Sequence, residues 1–115
     1  MFFAKKTDIP SLNAQECLDM IGPGSEVLLL DVRRAEEYAE ASIPGSMHLE
    51  LAEILNGKWA DLLPYKDKGI ILQCHSGVRS LEAARYLAAQ DFRKLWNMEG
   101  GILAYQELCD NSSSG

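Results

Sequence analysis

Two short, continuous apolar runs constrain the fold of this chain more than any other feature of its sequence. Residues 27–30 and 70–72 contain no polar side chain, which is typical of strands that are covered on both faces. Stretches with the apolar spacing of helices lie before, between and after these runs. Strands that alternate with helices predict an α/β fold, with a mainly parallel central sheet and helices on both faces. A length of 115 residues allows one such domain.

Local signals place the other elements. Asn13 is expected to cap a helix that begins at Ala14, because the side chain of Glu16 can reach back to the cap. Further helices are predicted at residues 35–41, 51–55, 59–63, 80–90 and 102–109, and strands at residues 47–49, 69–73 and 94–96. The domain is predicted to span residues 1–110. Residues 111–115 are expected to form a flexible tail or a remnant of truncation.

Composition and charge argue against several classes of protein. A formal net charge of −6 is unusual for a protein that binds a phosphate backbone, so we expect no nucleic-acid partner. No apolar run approaches the ~18–20 residues that span a bilayer, and residues 1–8 do not resemble a signal peptide. Three cysteines without regular spacing do not form a disulfide framework. A reducing, cytoplasmic location is therefore predicted, unless the chain is a piece of a longer or exported protein.

The cysteines and histidines do not have the spacing of a metal site. No Cys/His pattern fits zinc, and no glycine-rich phosphate fingerprint is present, so we predict neither metal nor cofactor. Cys17 lies on the apolar stripe of the first helix and is expected in the core. Packing is also the favoured interpretation of Cys109, although it can in principle resolve a disulfide. His48 is expected to be structural.

The remaining cysteine, Cys74, lies in a different context. Residues 74–79, Cys-His-Ser-Gly-Val-Arg, follow the central strand and lead into a helical pattern. This is the carboxyl edge of the sheet, where open α/β proteins bind ligands. Backbone N–H groups of such a loop, together with the helix start, favour an anion at its centre and lower the pKa of a thiol. Cys74 is therefore predicted to be a nucleophile.

The other loop residues have candidate roles beside that nucleophile. Gly77 is expected to adopt a positive φ or to approach the bound anion closely. Arg79 either binds an anionic donor or braces the loop by pairing with a carboxylate such as Glu37. The hydroxyls of Ser76 and Ser80 can donate to sulfur, and helix capping is the favoured role of Ser80. His75 is expected to lie at the rim of the loop and to tune the choice of donor, and general-base catalysis is the less favoured alternative. Val78 is a further residue of the loop. Arg33 either contributes positive potential beside the loop or pairs with a local carboxylate.

Five segments in order give the chain a resemblance to the single-domain rhodaneses. They are Leu-Asp-Val-Arg at residues 30–33, Glu-Glu-Tyr at 36–38, Ile-Pro-Gly-Ser at 43–46, the Cys-x-x-Gly-x-Arg loop, and Glu-Gly-Gly-Ile-Leu-Ala-Tyr at 99–105. Ser42 and Tyr105 stand where histidine and tryptophan are common in the family, and His75 occupies a variable position. The resemblance covers nearly the whole chain, and it implies the rhodanese fold.

The resemblance also implies a reaction. Rhodaneses transfer sulfane sulfur, so Cys74 is expected to take a sulfur from a donor such as thiosulfate or a persulfide and to hold it as a cysteine persulfide. Cyanide or another thiol then accepts the sulfur. A phosphatase or arsenate reductase of the same architecture is disfavoured, because those relatives have five residues between Cys and Arg, whereas four lie here. A module that relays sulfur between partner proteins remains the alternative.

Overall fold

The computed structural model describes residues 8–114, and for residues 112–114 only the backbone. The signal-peptide prediction rests on the opening residues, of which residues 1–7 lie outside the described part, as does Gly115. Within this described part of the chain, five parallel strands form one sheet in the order β1-β5-β4-β2-β3. The strands are β1 (Ser11–Leu12), β2 (Leu28–Asp31), β3 (Met47–His48), β4 (Ile70–Gln73) and β5 (Leu95–Met98). The predicted α/β architecture is confirmed.

Helices cover both faces of the sheet. They are α1 (Ala14–Met20), α2 (Ala35–Glu40), α3 (Leu51–Leu55), α4 (Val78–Ala89), α5 (Gly101–Ser114) and a 3-10 helix (Ala60–Tyr65). One apolar cluster packs α3 and α4 against alternate residues of β2 and β4, and a second packs α1 and α5 against the opposite face. The two continuous apolar runs are therefore buried on both sides, as their composition predicts.

Local capping explains where the first helix begins. The Asn13 side chain accepts a hydrogen bond from the amide of Glu16 at 2.8 Å, and the Glu16 carboxylate accepts one from the amide of Asn13 at 2.9 Å. This reciprocal pair is the predicted capping box. Cys17 follows it and is completely buried, and burial is the main reason why its pKa is raised to about 12. The sulfur of Cys17 is therefore a core group.

Several boundaries differ from the sequence-based expectation. β1 was not predicted, because two residues without an apolar run carry no strand signal and depend on pairing with β5. The helix expected at residues 59–63 is the 3-10 helix, which contains Pro64. The last helix continues to Ser114, beyond the predicted end at Cys109, so part of the expected tail is helical. The division of the chain at residue 110 stays a prediction.

Between residues 8 and 114, no helix combines the length and the apolar character that crossing a membrane requires.

Candidate active site

The central strand delivers Cys74 to the carboxyl edge of the sheet. Cys74 directly follows β4, which lies between β2 and β5. The chain after β2 is held beside it, because the amide of Val32 donates to the carbonyl of Gln73 at 3.0 Å. Residue 99 and the start of α5 follow β5 on the other side. Three strand ends therefore surround the cysteine, as the topology of an open parallel sheet requires.

The sulfur of Cys74 lies at the bottom of its loop, where hydrogen-bond donors converge on it. The amide of Gly77 donates to Sγ at 3.1 Å, and the hydroxyl oxygen of Ser80 lies 3.4 Å from Sγ. Burial acts to raise the pKa of the thiol, but the Ser80 hydroxyl and the backbone amides of Ser80, Gly77 and Ser76 together lower it. The side chain is only 1% exposed. The loop therefore favours an anionic sulfur in a nearly closed site.

Gly77 supplies the backbone conformation that turns the loop into a helix. Its φ is 111°, in the left-handed region, which agrees with the positive φ that the sequence predicts. Gly77 is the N-cap of α4, so the helix begins at Val78 rather than at residue 80. The helix start carries partial positive charge, and the amides of Gly77 and Ser80 are among the backbone donors that lower the pKa of Cys74.

The predicted capping role of Ser80 is wrong. Because Gly77 is the cap, Ser80 lies within the first turn of α4 and is completely buried. Its hydroxyl oxygen lies 3.4 Å from Cys74 Sγ and 2.5 Å from Asn97 Oδ1. The alternative prediction, that this hydroxyl contacts the sulfur, agrees with the geometry.

The start of α5 holds the loop from the other side. The amide of Ile102 donates to the carbonyl of Cys74 at 2.8 Å, and the amide of Leu103 donates to the carbonyl of His75 at 3.4 Å. These bonds turn the first two loop carbonyls away from the sulfur. Gly101 permits the approach, because a Cβ atom there would lie 2.3 Å from the Cys74 carbonyl oxygen. The second glycine of the Gly100-Gly101 pair is thus a packing requirement of the loop.

Asn97 is the site residue that sequence reasoning missed. It lies on β5 beside Leu72 of β4 and is only 5% exposed. Its Oδ1 contacts the Ser80 hydroxyl, and its Nδ2 donates to the carbonyl of Gly77 at 3.2 Å. A polar residue inside a short buried strand, near the same sheet edge as Cys74, was the available signal.

Arg79 braces the loop by pairing with the carboxylate of Glu37, which is one of its two predicted roles. Nη1 and Nη2 of Arg79 donate to the two carboxylate oxygens of Glu37 at 2.7 and 3.0 Å. Because Arg79 lies in the first turn of α4, this pair ties α2 to the start of α4. The same Glu37 also accepts from the amide of Arg34, at the start of α2, at 2.9 Å. The hydrogen bond from Arg79 is the main reason why the pKa of Glu37 is lowered to about 2. A third of the Arg79 side chain stays exposed, so the pairing does not exclude contact with a donor.

The Arg79–Glu37 pair gives a stability prediction. Glu37→Gln is expected to lower the free energy of unfolding at pH 7 by about 1–2 kcal/mol, because charged, bidentate hydrogen bonds are lost. A carboxylate whose folded pKa is depressed stabilises the protein above its unfolded pKa of about 4.3, and this contribution is lost as the pH falls toward the folded value. The difference between wild type and variant should therefore shrink below about pH 4 in urea denaturation.

The matched control for this prediction is Glu36→Gln, since Glu36 is the exposed neighbour on the same helix. It is expected to change stability by less than about 0.5 kcal/mol. Equal losses in the two variants, or a Glu37→Gln difference that is independent of pH, would contradict the bracing role.

Arg33 pairs with a local carboxylate, which is one of the two roles that the sequence predicts for it. Its guanidinium contacts Asp31 at 2.7 Å and donates to the carbonyl of Ala41 at 2.6 Å. The carbonyl of Arg33 is bound by His48 Nε2 at 2.7 Å, and the His48 ring stacks on Tyr38. These contacts fix the chain after β2, so His48 has the structural role that was expected.

Exposed residues form the rim of the loop. His75 and Ser76 are exposed, and Val78 is 75% exposed. A cavity of about 510 Å³ lies on one side of the loop, lined by Val32, Leu51, Ala52, Arg34, Glu50 and Arg79. A second of about 410 Å³ lies on the other side and includes Val78 and Leu81. The cavities beside the loop are therefore bordered by apolar side chains and, in the first, by the charged groups of Arg34, Glu50 and Arg79.

Comparison with known proteins agrees with this geometry. Residues 13–108 match the family model described as the rhodanese-like domain. The chain belongs to the rhodanese-like domain family. The predicted family is thus confirmed, and the match includes the loop at residues 74–79 and the start of α5.

Several relatives of this rhodanese-like chain are named as sulfurtransferases. YtwF of Bacillus subtilis, provisionally named a sulfurtransferase, is 34% identical over 99 residues, which are 86% of this chain and 92% of YtwF. The thiosulfate sulfurtransferase GlpE of Pseudoalteromonas translucida is 35% identical over 83 residues, 70% of this chain and 74% of GlpE. The rhodanese-related protein of Thermoplasma volcanium superposes with a TM-score of 0.73 at 31% identity, covering 85% of this chain and 91% of that one.

Proposed function

We propose that this chain is a sulfurtransferase that carries a sulfane sulfur as a persulfide on Cys74, with thiosulfate as a donor and cyanide or a thiol as an acceptor. The observation that carries the proposal is the convergence of the Gly77 amide and the Ser80 hydroxyl on Cys74 Sγ. These donors favour a charged sulfur, which is the reactive form in both halves of the cycle. The similarity to GlpE, which is named a thiosulfate sulfurtransferase, supports thiosulfate as the donor.

The proposed reaction has two displacement steps. In the first, the Cys74 thiolate attacks the outer sulfur of thiosulfate, the S–S bond of the donor breaks, and sulfite leaves with the bonding electrons. The outer sulfur stays on Cys74 as a persulfide anion inside the loop. In the second, cyanide attacks that outer sulfur and thiocyanate leaves, which restores the thiolate. The loop amides are already oriented toward the negative sulfur, so neither step requires them to reorganise.

Access to Cys74 restricts the shape of the donor. Because the side chain is 1% exposed, a donor has to present its reacting sulfur as a narrow terminal group. The outer sulfur of thiosulfate has this shape. The chain has a net charge of −6, so an anionic donor needs local positive charge. The cavity beside the loop has two guanidinium groups, Arg34 and Arg79, and one carboxylate, Glu50, in its lining, and Arg79 is paired with Glu37.

A relay between proteins is the second candidate, and the exposed rim favours it. Val78, 75% exposed, projects from the start of α4 beside the cavity that includes Leu81. Exposed apolar side chains next to a reactive group are typical of surfaces that contact another protein. In this version, a persulfidated protein replaces thiosulfate as the donor and the chemistry on Cys74 is unchanged.

Intact-protein mass spectrometry tests the proposal and separates the two donors. Incubation of the reduced protein with thiosulfate is expected to add one sulfur atom, located on the peptide that contains Cys74, and cyanide is expected to remove it. Cys74→Ser is the control that should stay unmodified. A sulfur added only by a persulfidated protein donor would favour the relay. No added sulfur with either donor, or a sulfur on another residue, would contradict the proposed function.

A further inference from the structure

The Ser80 hydroxyl has two neighbours that can accept its hydrogen. The Ser80 hydroxyl oxygen lies 3.4 Å from Cys74 Sγ and 2.5 Å from Asn97 Oδ1. A serine hydroxyl carries one hydrogen and can donate it to one acceptor at a time. Both neighbours compete for that hydrogen whenever the sulfur is ionised, because a thiolate is an acceptor only.

The orientation of Asn97 determines which neighbour is favoured at rest. The carbonyl oxygen of Gly77 can only accept, so the amide nitrogen of Asn97, 3.2 Å away, has to face it. The amide oxygen of Asn97 is therefore turned toward Ser80. That oxygen cannot donate, so the hydroxyl hydrogen of Ser80 lies on Asn97, and Ser80 accepts from the thiol of Cys74.

We propose that Asn97 is a positioning residue that holds the Ser80 hydroxyl away from Cys74 while the sulfur is uncharged and yields it when the sulfur becomes a thiolate. On ionisation the S–H proton leaves for solvent, and the hydroxyl hydrogen turns from Asn97 Oδ1 to Sγ. When the thiolate forms a bond to the transferred sulfur, the inner Sγ loses its charge and the hydroxyl returns to Asn97. Asn97 thereby favours the thiol and the persulfide over the thiolate between them.

The inference rests on the proposed function only in taking Cys74 as the reacting thiol. The proposal predicts that removal of Asn97 changes the pKa of Cys74 in the direction opposite to that expected if Asn97 has a purely structural role. If Asn97 competes for the hydroxyl, its removal frees Ser80 to donate to the thiolate and makes Cys74 easier to ionise. If Asn97 only holds the Gly77 carbonyl, its removal loosens the loop amides and makes Cys74 harder to ionise.

Asn97 can be replaced without a change in the charge of any group around the loop. The charged and titratable groups around the loop are Arg79 on α4 with Glu37 on α2, Arg34 and Glu50 in the lining of the cavity beside the loop, Asp31 on β2 with Arg33, His75 in the loop and Glu99 after β5. Replacement of Asn97 by leucine, a similar volume without polar atoms, alters the charge of none of them. In a Ser80→Ala protein, the same replacement of Asn97 cannot act through the Ser80 hydroxyl, because that hydroxyl is absent.

The test is the pH dependence of iodoacetamide alkylation at Cys74, resolved by peptide mass spectrometry, in four proteins: wild type, Asn97→Leu, Ser80→Ala and the double variant. Asn97→Leu is expected to move the midpoint to lower pH and to make alkylation well below the midpoint about three to ten times faster, since the Ser80 hydroxyl no longer has to give up its hydrogen bond to Asn97 when it turns to the thiolate. In the Ser80→Ala background the same substitution should leave the midpoint unchanged. A midpoint that moves to higher pH, or by the same amount in both backgrounds, would overturn the proposal.

A second measurement applies even if Asn97→Leu does not fold. In the wild-type protein, the NMR signals of the Asn97 side-chain amide should shift with pH at the same midpoint as the alkylation of Cys74, because Oδ1 loses its donor. This shift should disappear in Ser80→Ala. An Asn97 signal that does not follow the Cys74 midpoint in the wild type would overturn the proposal. Neither measurement requires sulfurtransferase turnover, so failure here is distinguishable from failure of the proposed function.

Discussion

Cys74→Ser is expected to reduce thiosulfate:cyanide sulfurtransferase turnover by more than about a thousandfold, because the group that carries the sulfur is removed. Serine oxygen does not ionise near neutral pH and cannot hold a sulfane sulfur. The fold should persist, because a serine oxygen can accept the hydrogen bond that the Gly77 amide makes to Sγ at 3.1 Å. The free energy of unfolding should therefore change by less than about 1 kcal/mol.

Steady-state thiocyanate formation and urea denaturation are the two measurements for this variant. Cys109→Ser is the matched control, since Cys109 is half-buried on α5 and lies outside the loop. It should keep the activity of the wild type. Retained turnover in folded Cys74→Ser, or loss of turnover in Cys109→Ser, would contradict a persulfide carried by Cys74.

Gly101→Ala is expected to have the largest effect on stability, a loss of about 3 kcal/mol or more. Gly101 has a φ of 56°, and an added Cβ would lie 2.3 Å from the Cys74 carbonyl oxygen and 2.6 Å from that of His75. These oxygens belong to backbone that cannot rotate away. Relief requires α5 to move, which breaks the hydrogen bond from the Ile102 amide to the Cys74 carbonyl. Activity should fall together with stability.

Gly57→Ala separates the two causes of that loss, which are the left-handed backbone conformation and the contact of the added Cβ atom. Gly57 also has a positive φ, 84°, but a Cβ there would meet no atom within 4 Å. It should show only the cost of the left-handed conformation, about 1–2 kcal/mol. Urea denaturation of the two variants gives the cost of the contact as their difference. Equal destabilisation would mean that the approach of α5 to the loop is not a constraint on the fold.

Features with a local signal were predictable from the sequence. The buried runs that became β2 and β4 contain only apolar residues at their centres, so they specified a parallel sheet without any knowledge of their partners. The cap at Asn13 and the positive φ of Gly77 each depend on a few neighbouring residues. In each case the interaction that decides the conformation is complete within one short segment.

Features that depend on contacts between distant segments were not predictable in the same way. Asn97 and Ser80 meet because β5 lies beside β4, and neither residue's own neighbours indicate the contact. Ser80 looked like a cap because serine is common there, but Gly77 occupies the cap position and Ser80 faces inward. For Arg33 and Arg79, the sequence offered two roles each, and only the positions of Asp31 and Glu37 in space show the pairing.

The most direct test of the central claim, that the loop stabilises a charged sulfur on Cys74, is the alkylation of this residue against pH in folded and in urea-unfolded wild-type protein. The pKa of Cys74 is lowered in the folded protein because the donations from Ser80, Gly77 and Ser76 outweigh the effect of burial. The midpoint of alkylation in the folded protein should therefore lie at lower pH than that in urea. A folded midpoint equal to or above the unfolded one would contradict the account.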